Sequence, residues 1–137
     1  MTPHHILAQV QRGISVDSYP GAIGQVITNL ALNSLIHGFS NEMEGVVSIT
    51  AEKLDSDWLK LVVADNGRGI SKKNLNRVFD PFFTTRMGQG GSGLGLNIVF
   101  NIVKSTLGGS IQVNSEEGNG ATFTILIPLV APSIDEH

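Results

Sequence analysis

The chain has 137 residues, the length of one domain, and 41% apolar with 15% charged residues is a globular rather than a disordered composition. Nine basic against 12 acidic residues give a net charge of −3, which tells against a nucleic-acid partner held by bulk charge. The absence of cysteine excludes disulfides and thiolate metal sites, and no apolar run approaches the ~18 residues of a membrane span.

In chain order, Met1–Gln11 reads as a strand, with a short helix as the alternative, and Arg12-Gly13 as a turn. Pro20-Gly21 marks a break, after which Ala22–His37 has helical spacing and Gly38 is placed to stop it. Asn41–Gly45 is a polar loop. Val46–Lys53 and Trp58–Asp65 alternate and form a hairpin across Asp55-Ser56-Asp57. Ser71–Val78 is a short helix with Ser71 as its cap. Phe79–Gly93 has no periodicity, and a loop of that length is usually functional. Gly95–Leu107 is a helix with Leu96, Val99, Ile102, Val103 and Leu107 as its apolar stripe, ended by Gly108-Gly109. Ser110–Ser115 and Ala121–Pro128 form a last hairpin, and residues 131–137 lose pattern and fray. Helices among antiparallel hairpins predict an α+β fold, two layers with the helices on one face of a mixed, mostly antiparallel sheet. Residues 1–130 are read as one domain.

Three features carry chemistry. Gln25, Asn29, Asn33 and His37 are spaced by four, so each step drifts about 40° and the four form a slanting row on an otherwise apolar helix. Such amides are either paired inside the core or turned to a polar cavity, where their oxygens suit a hydrated Mg²⁺. Asp65-Asn66-Gly67-Arg68-Gly69-Ile70 follows a strand directly. Its carboxylate can accept from an exocyclic amine, while the sequence also fits a plain turn or, more weakly, a metal ligand. Of the 16 glycines, seven lie between Gly67 and Gly95, and Gly88–Leu96 runs straight into a helix, the arrangement of a phosphate-binding N-terminus, with a merely flexible linker as the alternative. No Gly-Lys-Ser/Thr is present, so this is not a Walker A loop. A literal GxGxxG at Gly88, Gly90 and Gly93 lacks the preceding strand and the acidic residue about 20 positions on, where Val113 stands. Phe79, Phe82 and Phe83 fit either core packing or the anchor of a movable lid, and Arg86 either a phosphate contact or a solvated loop residue.

In combination, Gln25–His37, Asp65–Ile70, Phe79–Thr85 and Gly91–Leu96 closely resemble the N, G1, F and G2 boxes of the catalytic ATP-binding domain of sensor histidine kinases, relatives of gyrase B, Hsp90 and MutL. The resemblance covers about Ile6 to Pro128. It implies a Bergerat-type α/β sandwich holding ATP under a mobile lid. By likeness, Asn33 would hold Mg²⁺, with Asn29 supporting metal and phosphates and His37 lying near the phosphates. Asp65 would take the adenine amine, with Gly67, Gly69 and Ile70 beside the ring. Thr85, Arg86, Gly91, Ser92, Gly93, Leu94, Gly95 and Leu96 would line the nucleotide from the lid side, and Thr122 from the last strand.

The ATPase branches carry a glutamate base where Asn29 stands, so the likeness favours a kinase over a hydrolase. The phosphoacceptor histidine would lie on a separate dimerisation domain, His4 and His5 lacking the expected helical, acidic setting. Expected partners are ATP or ADP, that histidine domain and a downstream response regulator, with no nucleic acid and no membrane insertion, in the cytoplasm. A related protein serine kinase of the anti-sigma type, or a nucleotide-responsive binding module, are the alternatives.

Overall fold

The computed structural model describes residues 5–10, 19–34, 45–80, 95–116 and 118–130. Nine segments follow in order: β1 (His5–Val10), α1 (Pro20–Asn33), β2 (Val46–Lys53), β3 (Trp58–Asp65), α2 (Lys72–Leu75), α3 (Gly95–Asn101) running into a π-helical turn (Ile102–Thr106), β4 (Ser110–Ser115) and β5 (Ala121–Pro128). The predicted α+β class is the one observed. The five strands form one sheet in the order β1-β2-β3-β5-β4. β1 runs parallel to β2, and the other neighbours are antiparallel.

Alternation divides each strand between two faces. Val47, Ile49 and Ala51 of β2 stand opposite Asp65, Val63 and Leu61 of β3. Phe123, Ile125 and Ile127 of β5 continue that face beside Val63, Leu61 and Leu59. It is the buried face, and Val26, Leu30 and Ala31 of α1 with Val99, Val103 and Leu107 from the α3 segment complete its core. Both helices therefore lie on one side of the sheet. Trp58, Lys60, Val62 and Thr124 turn to the other side, which no described helix covers.

Local chemistry sets the helix ends. Pro20 opens α1 after an extended Tyr19 (φ −107°, ψ 94°), a position where its missing N–H is no loss. Pro20 thus stands at the first turn, where it is tolerated, and the helix begins two residues before the expected Ala22. Ser34 keeps helical angles (φ −64°, ψ −41°); Gly38, His37 and most of the expected Asn41–Gly45 loop lie outside the described residues. α2 is only four residues long, shorter than the predicted Ser71–Val78. Ser71 occupies the cap position, but its side chain makes no capping bond; its carbonyl instead accepts from the N–H groups of Asn74 and Leu75 (both 3.0 Å). Arg77 then donates to Asn74 and Asp80 to Arg77, i to i−3 bonds that convert the rest into turns.

The Gly95–Leu107 helix is present, but its last turn is π-helical, with Leu107 donating to the Ile102 carbonyl at 2.9 Å. Gly108 ends it at φ 75°, and Gly109 donates back to Val103. A Cβ at Gly109 would overlap the Leu126 carbonyl, so this glycine lets the helix end pass directly over β5.

Candidate functional site

Asp65 is the last residue of β3, and its pairing with Val47 puts its side chain on the helix-covered face. Its carboxylate there gathers three donors. Oδ1 accepts from the backbone N–H of Gly67 at 2.9 Å and of Ala121 at 3.2 Å. Oδ2 accepts from the hydroxyl of Ser34 at 2.8 Å. Ser34 is 1% exposed, the buried polar side chain among the described residues, so the end of α1 is joined to the end of β3 through an ionisable group. A buried hydroxyl without a partner would be costly, and a carboxylate satisfies it with a charge-assisted bond.

The loop after Asp65 is braced by the β4–β5 turn. Gly118 donates to the Arg68 carbonyl at 2.7 Å. Ser115 Oγ accepts from the Ile70 N–H and donates to the Gly120 carbonyl, both at 2.7 Å. Gly69 (φ 77°) presses on the Glu116 carbonyl and Gly120 (φ 82°) on the Asp65 carbonyl so closely that a Cβ at either would overlap backbone. Only glycine meets both the left-handed angle and the approach. Asn66 faces the other way, its Oδ1 accepting from the Val46 N–H at 2.8 Å and fixing the start of β2.

The structure brings some predicted residues together. Asn33 precedes Ser34 on α1 and Asn29 lies one turn earlier; both are half-buried, whereas Gln25 is exposed. Among the described residues neither asparagine side chain has a hydrogen-bond partner, so the paired-core reading finds no support there. Gly67 is buried against Asp65, Ile70 and Leu96 are packed on the core, and Gly95 opens α3 with free space where a Cβ would stand.

Thr122 is a correction. Alternation along β5 turns its side chain to the open face, opposite Asp65, where it lines a shallow depression with Asn114, Glu116 and Asn119. Its neighbour Ala121 reaches Asp65 instead, through the backbone. His37, Thr85, Arg86, Gly91, Ser92, Gly93 and Leu94 lie outside the described residues, as do Phe82 and Phe83. Phe79 is core: its ring meets Phe100 at 5.4 Å and Phe123 at 6.3 Å, and its carbonyl accepts from Asn97 Nδ2 at 3.0 Å.

Ser34, Ser115 and the Ala121 N–H were not expected at the site. Ser34 carried a readable signal, since it continues the row of Val26 and Leu30 and is therefore a polar residue at a core position. Ser115 and Ala121 carried none, because their roles depend on where the hairpin lands.

Among the described residues no three His, Cys, Asp or Glu side chains cluster as a metal site, and no helix is long and apolar enough to cross a membrane. The arrangement is a carboxylate held by three protein donors and joined through Ser34 to the helix that carries Asn29 and Asn33.

Residues 19–131 match the family model described as histidine kinase-, DNA gyrase B- and HSP90-like ATPase. The sensor histidine kinase ZraS of Salmonella typhimurium is 39% identical over 120 residues, which cover 88% of this chain and 24% of that protein. The chain thus spans about a quarter of the length of that relative. Among solved structures, the nucleotide-free catalytic domain of histidine kinase ThkA aligns with TM-score 0.77 and 27% identity, over 93% of this chain and 80% of that one. Full-length ShkA in complex with AMPPNP aligns with TM-score 0.73 and 28% identity, over 95% of this chain and 26% of that one.

Proposed function

Because this chain belongs to the family of histidine kinase-, DNA gyrase B- and HSP90-like ATPases, we propose that it is the ATP-binding catalytic domain of a sensor histidine kinase, with residues 1–130 forming that domain. The observation that carries this reading is the Asp65 carboxylate. Three protein donors hold it at the helix-side end of β3, beside the helix that bears Asn29 and Asn33. An oriented carboxylate acceptor suits the amine of an adenine, and the loop glycines bring backbone close to a flat ring.

Mg²⁺ fits this donor set. Asn29 and Asn33 offer neutral amide oxygens with no other partner among the described residues, and such oxygens leave a hard cation free to share phosphate oxygens and water. Asn33 would hold the ion with Asn29 beside it, and the ion would neutralise charge on the transferring phosphoryl group. His37, Thr85, Arg86, Gly91, Ser92, Gly93, Leu94 and Gly95 would face the phosphates. The chain's own contribution is positioning: Asp65 fixes the base, the Asn row fixes the phosphate end, and the γ-phosphate is presented to a nucleophile from another domain. No carboxylate base stands at Asn29, in keeping with transfer to a protein histidine rather than to water. A phosphoacceptor domain and a response regulator would be the partners.

Isothermal titration of the 137-residue chain with ADP and Mg²⁺ tests the reading, and binding is the expected result. Asp65→Asn keeps an oxygen for Gly67 and Ala121 but turns an NH₂ toward the base. ADP affinity is expected to fall at least about 100-fold with the fold intact. Absence of ADP binding by the folded wild-type chain overturns the assignment. Phosphate appearing on a partner serine, and not on histidine, would transfer it to the serine-kinase branch.

A further inference from the structure

Ser34 lies inside the Gln25–His37 segment but has no role assigned there, yet its hydroxyl is one of three donors on Asp65. An ionised carboxylate has no hydrogen to give, so the Ser34 O–H must be the donor. Each carboxylate oxygen carries two lone-pair positions. On Oδ1 both are taken, by Gly67 and Ala121. On Oδ2 one is taken by Ser34. Among the described residues Asp65 therefore has a single open position, on the oxygen that Ser34 holds.

We propose that Ser34 is a positioning residue for base selection, fixing Asp65 as a one-site acceptor that fits the lone exocyclic amine of adenine and cannot take the paired N1–H and amine donors of guanine. The inference rests on the nucleotide-binding reading and deepens it. Guanine offers two adjacent donors, which a carboxylate reads with both oxygens. Oδ1 has no capacity left for the second, so a bound guanine would bury an unmet donor. Adenine offers one amine beside a ring acceptor and asks for one oxygen. The hydroxyl does more than occupy a lone pair: it comes from a buried side chain at the C-cap of α1, so Asp65 cannot turn about its own bond without breaking a charge-assisted bond to the core.

The test needs three diphosphates and two variants. For the wild-type chain, ADP should bind at least about 100-fold tighter than GDP. GDP and inosine diphosphate, which differ by the 2-amino group, should bind equally weakly. GDP binding about tenfold or more tighter than inosine diphosphate would show a second open position and overturn the proposal, with no variant needed. Ser34→Ala should shrink the ADP-over-GDP preference about tenfold and leave affinity for inorganic tripolyphosphate unchanged. Ser34→Thr, which keeps the hydroxyl, should restore the preference. An undiminished preference in Ser34→Ala, or an equal loss for ADP and tripolyphosphate, overturns the role of Ser34 while leaving nucleotide binding itself intact. Failure of the wild-type chain to bind ADP would instead remove the reading beneath it.

Discussion

The turn Leu54–Asp57 closes its hairpin with its own atoms, whereas Glu116–Gly120 is held by a loop from another part of the chain. In the first, Asp55 Oδ1 accepts from the N–H groups of Asp57 (2.8 Å) and Trp58 (3.2 Å), and Leu54 donates to the Trp58 carbonyl. All four turn residues are exposed, and from elsewhere the Leu129 N–H reaches Asp57. In the second, the Arg68 carbonyl, the Ile70 N–H and the Asp65 carboxylate all bond to the hairpin, and two left-handed glycines press against backbone across the contact. The two turns sit at opposite ends of β3 and β5. A turn at the plain end needs only turn chemistry. A turn at the site end is part of the apparatus that aims Asp65, so its sequence answers to distant residues.

Substitutions should separate the two ends sharply. Gly120→Ala and Gly69→Ala combine a left-handed backbone with overlap on a carbonyl, and each should cost about 3 kcal/mol or more in urea unfolding. A near-wild-type midpoint for either would show that the two loops are not interlocked. Ile125, buried midway between the ends, sets the scale of an ordinary core loss: Ile125→Ala should cost about 3 kcal/mol by the same measurement. Ser115→Ala removes both a donor and an acceptor from the brace and should cost about 1–2 kcal/mol. It should also weaken ADP binding, which Ile125→Ala should not do beyond its effect on the folded fraction. At the plain end, Asp55→Ala should cost about 0.5–1 kcal/mol, and Leu54→Ala, 52% exposed in the wild type, less than about 0.5 kcal/mol. Neither should alter ADP affinity, and a change in it would break the division between the ends.

The same division explains what could be read from residues alone. The strands of both hairpins were legible because period-two alternation of Val, Ile, Leu and Phe is written locally, and Gly108 marked a helix end for the same reason. Asp65 was legible as a carboxylate at a strand end, since the apolar run Leu61–Ala64 stops there. Its face was not, because that depends on register against Val47. Thr122 was misassigned for that reason: one residue along a strand is the opposite side of the sheet. The π-helical turn over Ile102–Thr106 had no local signature, since Ile102, Val103 and Leu107 fit an α-helical stripe equally well. Neither Gly69, read only as a neighbour of the ring, nor Gly120, given no role, showed in sequence that a carbonyl from elsewhere requires it.

Trp58 has a use that follows from its place. It is the one tryptophan in the chain, 38% exposed on the side of the sheet that no described helix covers. Seven residue steps along β3 separate it from Asp65, roughly 23 Å at the rise of an extended strand. Its fluorescence is thus an internal reporter that a nucleotide cannot quench by touching it. A change in emission on adding ADP would mean that strain had travelled the length of β3, and a change on adding a second protein would mark what had settled on that face of the sheet.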